Sequence, residues 1–206
     1  MAAKTNGRPK RDPEARRREI LSAAIPVFAK NGYSNTEVQR IAEAAGIAKG
    51  TVYLYFETKR DLFLAAVTYA VERLAERIDA EVQTAASPVA KVRAVVRAYF
   101  RFFDEDRALV DVLALELGEV MGQAEEAYYR VFSENAWHLE MIFREGIAQG
   151  VFRRFKPRQA AHVLANLLTG TIYARVLGGG KGPASRSAGA VTDFLLHGIL
   201  AQEKRI

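Results

Sequence analysis

Apolar residues recur at steps of three and four along nearly the whole chain, and almost nowhere do they alternate at every second position. That period belongs to amphipathic helices and not to strands. It predicts an all-α fold of about nine helices before any motif is considered. Capping residues, glycines and prolines then punctuate the pattern. Asp12-Pro13 reads as an N-cap followed by proline at the first helical position. Ile20, Leu21, Ala24 and Phe28 form the first stripe, Pro26 is expected to kink that helix, and Gly32 to stop it. Thr36 can cap a second helix carrying Val38, Ile41, Ala42 and Ala45, ended by Gly46. A short third helix is predicted from about Ala48 to Phe56. Thr58 with Asp61, a near match to a capping box, opens a fourth whose stripe runs from Leu62 to Ile78. Ser87-Pro88 opens a fifth with Val92, Val95, Val96, Tyr99, Phe100 and Phe103 inward. "RALVDVLALELGEVM" is a further helix, 123–149 a long one ended by Gly150, and 157–177 and 187–203 close the chain. The loop "GGGKGPAS" lacks the phosphate-loop spacing and follows no strand, so it reads as a plain interhelical link.

Charge is distributed unevenly. Residues 1–60 hold 12 Lys/Arg against 6 Asp/Glu, whereas residues 61–206 hold 18 of each, so the net charge of +6 lies in the first part. Such a field is either the footprint of a polyanion site or a solvated basic tail. The organisation expected is a disordered basic arm over 1–11, a basic helical unit over 12–60, and a second helical domain over 61–206. The chain has no cysteine, which excludes disulfides and thiolate chemistry and suits a reducing cytoplasm. The basic N-terminus has no apolar core resembling a signal peptide, and no stretch reads as a membrane span.

The segment "GIAKGTVYLYF" holds a costly feature. Gly50 weakens a helix by ~1 kcal/mol relative to alanine. Tyr53 and Tyr55 lie two apart, so one helical face cannot bury both. Residues 36–56 read as helix, glycine turn, helix, with Ala42 at the crossing, Gly46 as the left-handed turn and Ile47 beneath it. In a helix-turn-helix the second helix enters the major groove with its N-terminal end near base edges. Lys49, Gly50 and Thr51 occupy that end. Lys49 can donate to guanine or phosphate, Gly50 lets backbone approach closely, and Thr51 can meet a phosphate or a thymine methyl. Tyr53 and Tyr55 diverge toward opposite groove walls as phosphate donors, while Val52 and Phe56 face the core. Gln39 can reach a base. Lys59, Thr36 and Tyr33 sit near helix starts as further phosphate holders. Arg8, Lys10 and Arg11 form an arm that can enter the minor groove. Surface lysines, a half-buried Tyr53 and a purely capping Thr36 are the alternative readings.

Residues 18–63 resemble the DNA-binding domain of the tetracycline-repressor (TetR) family of transcriptional regulators. The resemblance rests on Gly32-Tyr33-Ser34-Asn35-Thr36, on Ile41-Ala42 with Ala45-Gly46-Ile47, and on the run from Lys49 to Phe56. Three residues depart from the family pattern. Ala48 stands where serine commonly caps the recognition helix, Tyr55 where histidine is frequent, and Pro26 where an unconstrained residue is usual. The resemblance implies an all-α homodimer whose C-terminal helices bind a small molecule and release a palindromic operator, with half-sites about 34–36 Å apart or a multiple of that. Repression and activation are both compatible with it.

The second half has no comparable signature. Val163, Leu167, Gly170, Ala174 and Leu177, with Val191, Phe194, Leu195, Gly198 and Ile199, read either as half of a four-helix dimer interface, as the family implies, or as internal packing. Phe100, Phe103, Leu113, Leu117, Met121, Tyr128, Phe132, Trp137 and Met141 are candidates to line a pocket for a largely hydrophobic effector, or are ordinary core. Glu116 and Arg175 interrupt apolar runs and either pair, meet a charged ligand group, or lie at the surface. An enzyme is disfavoured: His138, His162 and His197 are the only histidines and stand far apart, with no nucleophile elbow or paired carboxylates. No cofactor or metal is predicted. Residues 8–30 as a membrane-surface helix lack tryptophan and fit better as the first helix of a DNA-binding core.

Overall fold

The computed structural model describes residues 12–106, 108, 125–180 and 182–200, with side chains omitted over 125–136. Among these residues there are eight helices: α1 Pro13–Asn35, α2 Val38–Ala44, α3 Lys49–Tyr53, α4 Lys59–Gln83, α5 Pro88–Glu105, α6 Glu125–Ala148, α7 Pro157–Leu177 and α8 Arg186–Ile199. The expected helix "RALVDVLALELGEVM" lies almost wholly outside the described residues. The chain divides into two compact units, 1–69 and 70–206. The division falls inside α4, because Leu62, Phe63, Ala66 and Val67 at its start are buried apolar residues of the first unit.

In the first unit α1, α2, α3 and the start of α4 enclose one core. Ile20, Leu21, Ala24, Ile25 and Phe28 of α1 meet Val38, Ile41 and Ala42 of α2, Val52 of α3 and Phe56. Phe28 and Phe63 stand edge to face at 5.0 Å. Asp12 caps α1 by accepting from the Glu14 amide, and Pro13 follows it. The helix does not break at Pro26. Proline removes a bond to Ser22, but both residues lie on the solvent face, where water can satisfy the freed carbonyl. The interruption comes at Gly32, the one residue inside α1 with non-helical angles (φ 76°, ψ 161°), a region nearly closed to other residues.

α2 ends in a Schellman motif. The Ile47 amide reaches the Ala42 carbonyl at 2.9 Å, the Gly46 amide reaches Glu43 at 3.0 Å, and Gly46 takes φ 66°. α4 opens as the sequence predicts. The Asp61 amide donates to the Thr58 hydroxyl at 3.1 Å, and the Asp61 carboxylate accepts from the Thr58 amide at 3.1 Å.

The second unit is built around α5. Val92, Val95, Val96, Tyr99, Phe100 and Phe103 are buried as predicted, joined by Ala94, Ala98 and Phe102. Around it lie Leu139, Ile142 and Phe143 of α6, Ala161, Leu164, Leu168 and Ile172 of α7, and Ala188, Val191, Leu196 and Ile199 of α8. Tyr99 and Thr169 hydrogen-bond at 3.1 Å between α5 and α7, and Lys91 donates to Glu145 at 2.6 Å between α5 and α6. The turn after α6 is tightly packed. A β-carbon on Gly146 would fall 2.1 Å from the ring of Phe152, so only glycine lets this ring seat. Phe152 then packs against Phe143, and Arg153 ties the turn to the end of α8 through the Ile199 and Gly198 carbonyls at 2.9 and 2.6 Å.

The glycine-rich link ends on Asp104. Its carboxylate accepts from the amides of Ala184 and Ser185, the latter at 3.0 Å, and so anchors the two residues that lead into α8. Burial pushes the Asp104 carboxyl up. The Ser185 hydroxyl, the two amides and Arg175 outweigh burial, and hold it below the ordinary value of 3.8. Arg175 itself donates to the Gly182 carbonyl. It therefore stitches the loop, and its suggested partner Glu116 lies outside the described residues.

Candidate nucleic-acid interface

α3 projects from the first unit by its amino end. Ala48 occupies the N-cap position and offers no side-chain acceptor, so the first N–H groups of the helix have no cap. Lys49 and Gly50 are exposed, as are Tyr53 at 44% and Leu54 at 83%, while Thr51 and Tyr55 are half-buried. Val52 and Phe56, at 1% and 5% exposure, hold the segment down, which is the division of faces the sequence predicts. A β-carbon on Gly50 would meet nothing within 4 Å. The fold's own packing therefore gives no reason for this glycine.

Gln39 is exposed on α2, and its amide nitrogen donates to Glu43 at 2.9 Å. Glu43 thereby fixes which way the amide presents. It escaped the sequence reading, although its four-residue spacing from Gln39 was the available signal. Leu54 was also passed over, because an apolar residue in a short helix is ordinarily assigned to core.

Three expected phosphate holders are placed differently. Thr36 is 2% exposed, and its hydroxyl donates to the Gly32 carbonyl at 2.6 Å. It does not cap α2, whose N-cap position is Glu37; its hydroxyl instead closes the carbonyl end of α1. Lys59 places its ammonium among the carbonyls of Tyr33, Ser34 and Thr36, at 2.9, 3.1 and 3.2 Å. An ammonium has three donors, so this set saturates it. It also lies 4.7 Å from the centre of the Tyr33 ring. That ring packs between Phe28 and Phe63, which makes Tyr33 half core. These three residues brace the end of α1. Arg8, Lys10 and Arg11 lie outside the described residues.

The sequence pattern of bacterial regulatory proteins of the tetR family matches residues 20–66, which contain this whole arrangement. A second pattern, the tetracyclin repressor-like C-terminal domain, matches residues 85–174. The chain belongs to the tetR family. As a member of it, the protein is a DNA-binding transcriptional regulator and not an enzyme, and its helix-turn-helix is the element through which it meets DNA. A fatty acid metabolism regulator protein of Bacillus subtilis is 27% identical over 182 residues, spanning 88% of this chain and 94% of the relative. The fatty acid degradation regulator FadR of Bacillus halodurans superposes with a TM-score of 0.79 at 27% identity, covering 92% of this chain and 97% of that one. FadR of Bacillus subtilis, solved in complex with stearoyl-CoA, gives 0.76 at 27% identity over 88% and 98% of the two chains.

The tetR-family chain also carries the second set of expected residues. Phe100 and Phe103 are buried in the core around α5, whereas Trp137 and Met141 are 57% and 45% exposed on α6. Met141 lines a cavity of about 500 Å³ with Val82, His138, Ile142 and Ala148. Tyr128 and Phe132 lie on α6 where side chains are not described, and Leu113, Leu117 and Met121 lie outside the described residues. On α7 and α8, Val163, Leu177 and Phe194 are 64%, 74% and 76% exposed. Gly170, Ala174 and Gly198 are exposed too, and Leu167 and Leu195 half-buried. Val191 and Ile199 are the exceptions. At 8% and 6% exposure they are turned into their own unit, because they sit beside the buried Ala188, Thr192 and Leu196 and not on the Phe194 side of α8. No described helix is long and apolar enough to cross a membrane.

Proposed function

We propose that this chain is a repressor that acts in the cytoplasm, binds a palindromic operator as a homodimer, and is released by a small hydrophobic effector of the fatty-acyl class. The observation that carries the DNA reading is Gly50: a helix-weakening residue on an exposed helix end, with open space where a side chain would be. A helix end that must approach a duplex has a use for that space. In this reading Lys49, Thr51 and Gln39 approach bases, and Tyr53 and Tyr55 hold phosphates. Leu54 lies beside them, where a thymine methyl can meet it. Lys59, Thr36 and Tyr33 position the unit.

Homodimerisation is supported by the apolar α7–α8 face. Val163, Leu177 and Phe194 are large apolar side chains left exposed on these two helices, and Gly170, Ala174 and Gly198 would let helices approach closely. The acyl class is supported by the aromatic interior of the second unit and by the stearoyl-CoA of the Bacillus subtilis relative. An effector releases DNA only by binding the non-DNA conformation better. Selection of bound duplexes from a random pool tests the reading. An enriched inverted repeat, lost on adding a long-chain acyl ligand, is the expected outcome. Enrichment of an asymmetric site, or no enrichment, would refute the homodimeric operator.

A further inference from the structure

α5 is buried on most sides, and its exposed residues are a row of arginines followed by Asp104 and Glu105 in the last turn. Arg93, Arg97 and Arg101 follow at four-residue steps, so they share one face and span ~12 Å of helix. Together with Ser185, Ala188, Gly189 and Thr192 of the α8 side they line a cavity of about 400 Å³. No carboxylate is among these lining residues. Arg101 is paired with Glu81 and stands 4.0 Å from Glu105. Arg93 and Arg97 make no ion pair among the described residues. Like charges four apart on a helix repel. Lys91, Arg73, Arg77 and Arg144 in the same unit each have a carboxylate, whereas Arg154, Arg158 and Arg186 have none among the described residues, so what sets Arg93 and Arg97 apart is that two uncompensated guanidinium groups line one groove.

The start of α8 does not supply the attraction: the Arg186, Ser187 and Ala188 amides donate to the Pro183, Ala184 and Ser185 carbonyls, and the two amides before them are held by Asp104. The arginines do. A guanidinium is a planar fork of donors matched to phosphate oxygens, and two in a row fit a doubly charged or paired phosphate better than a single carboxylate. The groove also lies away from the proposed dimer face, because Ser185 and Phe194 are nine residues apart, half a turn out of phase on α8.

We infer that the groove of Arg93, Arg97 and Arg101 binds the phosphate-bearing head of the effector, so that the ligand is an acyl thioester of coenzyme A and not a free fatty acid. This rests on the acyl reading above and adds to it the polar half of the ligand and the residues that hold it. It makes α5 a two-sided element, with aromatic rings toward the interior and the anion site on its back.

The test is calorimetric titration of the full-length protein and of an R93Q/R97Q variant. The probes are stearoyl-CoA, stearate, free coenzyme A and inorganic pyrophosphate. The substitutions lie on the surface, so an unchanged melting temperature and unchanged operator binding without ligand serve as the folding control. The expected result is tight stearoyl-CoA binding that weakens by tenfold or more in the variant, with coenzyme A weakened in parallel and stearate unaffected. Stearoyl-CoA binding equally well to both proteins would overturn the groove while leaving the acyl reading intact. Arginine-dependent binding of coenzyme A or pyrophosphate without any binding of stearoyl-CoA would retain the anion site and overturn the acyl reading. Binding of none of the four probes would overturn both.

Discussion

Replacing Lys59 with methionine separates two roles that charge alone cannot distinguish. The side chain keeps its length and its contact with Tyr33 but loses three donors, which reach three carbonyls at 2.9, 3.1 and 3.2 Å. A hydrogen bond from a charged group contributes about 1.5–3 kcal/mol; because methionine also spares the cost of desolvating the ammonium, and the site is partly exposed, the net loss of the three together lies at the lower end of that range. The cation over the Tyr33 ring adds about 0.5 kcal/mol. Its attraction to the carbonyl end of α1 is offset by repulsion from the start of α4, where Lys59 is the first residue. The sum is about 2 kcal/mol. For a chain of this size that is a fall of roughly 4–8 °C in Tm. Circular dichroism melts measure it. Fluorescence anisotropy of a labelled operator, titrated at several salt concentrations, measures the other quantity. A direct phosphate contact contributes ~0.9 to the slope of log affinity against log salt, and the variant would lose that amount. The expected outcome is a lowered Tm with the slope unchanged. An unchanged Tm with the slope reduced by about one would refute the bracing role and restore a phosphate contact.

Three further outcomes follow from the same geometry. Tyr53→Phe removes an exposed donor and keeps the ring, so operator binding should weaken by about 1.5 kcal/mol, roughly tenfold, at an unchanged Tm; anisotropy and a melt together check it. Thr36→Val loses the buried bond to Gly32 and should cost about 1–2 kcal/mol in denaturant titration, with the salt slope intact. Asp104 has a folded-state pKa below its ordinary 3.8, so its anchoring of α8 is complete at neutral pH and is lost as pH falls through the folded-state value. Unfolding followed across that acid range should be steeper for the native chain than for Asp104→Asn, and equal slopes would count against the anchor.

Much of this was legible because it is local. The Schellman turn at Gly46, the Thr58–Asp61 box and the division of Val52 and Phe56 from Tyr53 each follow from spacing within one turn of helix. Thr36 and Lys59 were not legible in the same way. Both read as helix-start residues, but their partners, the carbonyls of Gly32 and of 33–36, are oriented by the break at Gly32 and by the docking of α4 on α1. Pro26 failed as a kink because the bond it removes faces water. Val191 was assigned by its stripe, yet α8 is apolar on two sides and the spacing does not say which of them meets the core. The row of Arg93, Arg97 and Arg101 was visible at four-residue intervals, and the electrical neutrality of 61–206 concealed it.

Gly50 and Gly146 are bare for opposite reasons. At Gly146 the vacant volume is filled by the Phe152 ring of the same molecule, so any added atom acts on folding itself. At Gly50 nothing of the molecule claims the volume, and an alanine there would strengthen the helix. A selection that asked only for a folded chain would therefore keep glycine at position 146 and let position 50 drift to alanine. On the reading proposed above, the glycine at position 50 answers to the duplex and not to the protein's own interior.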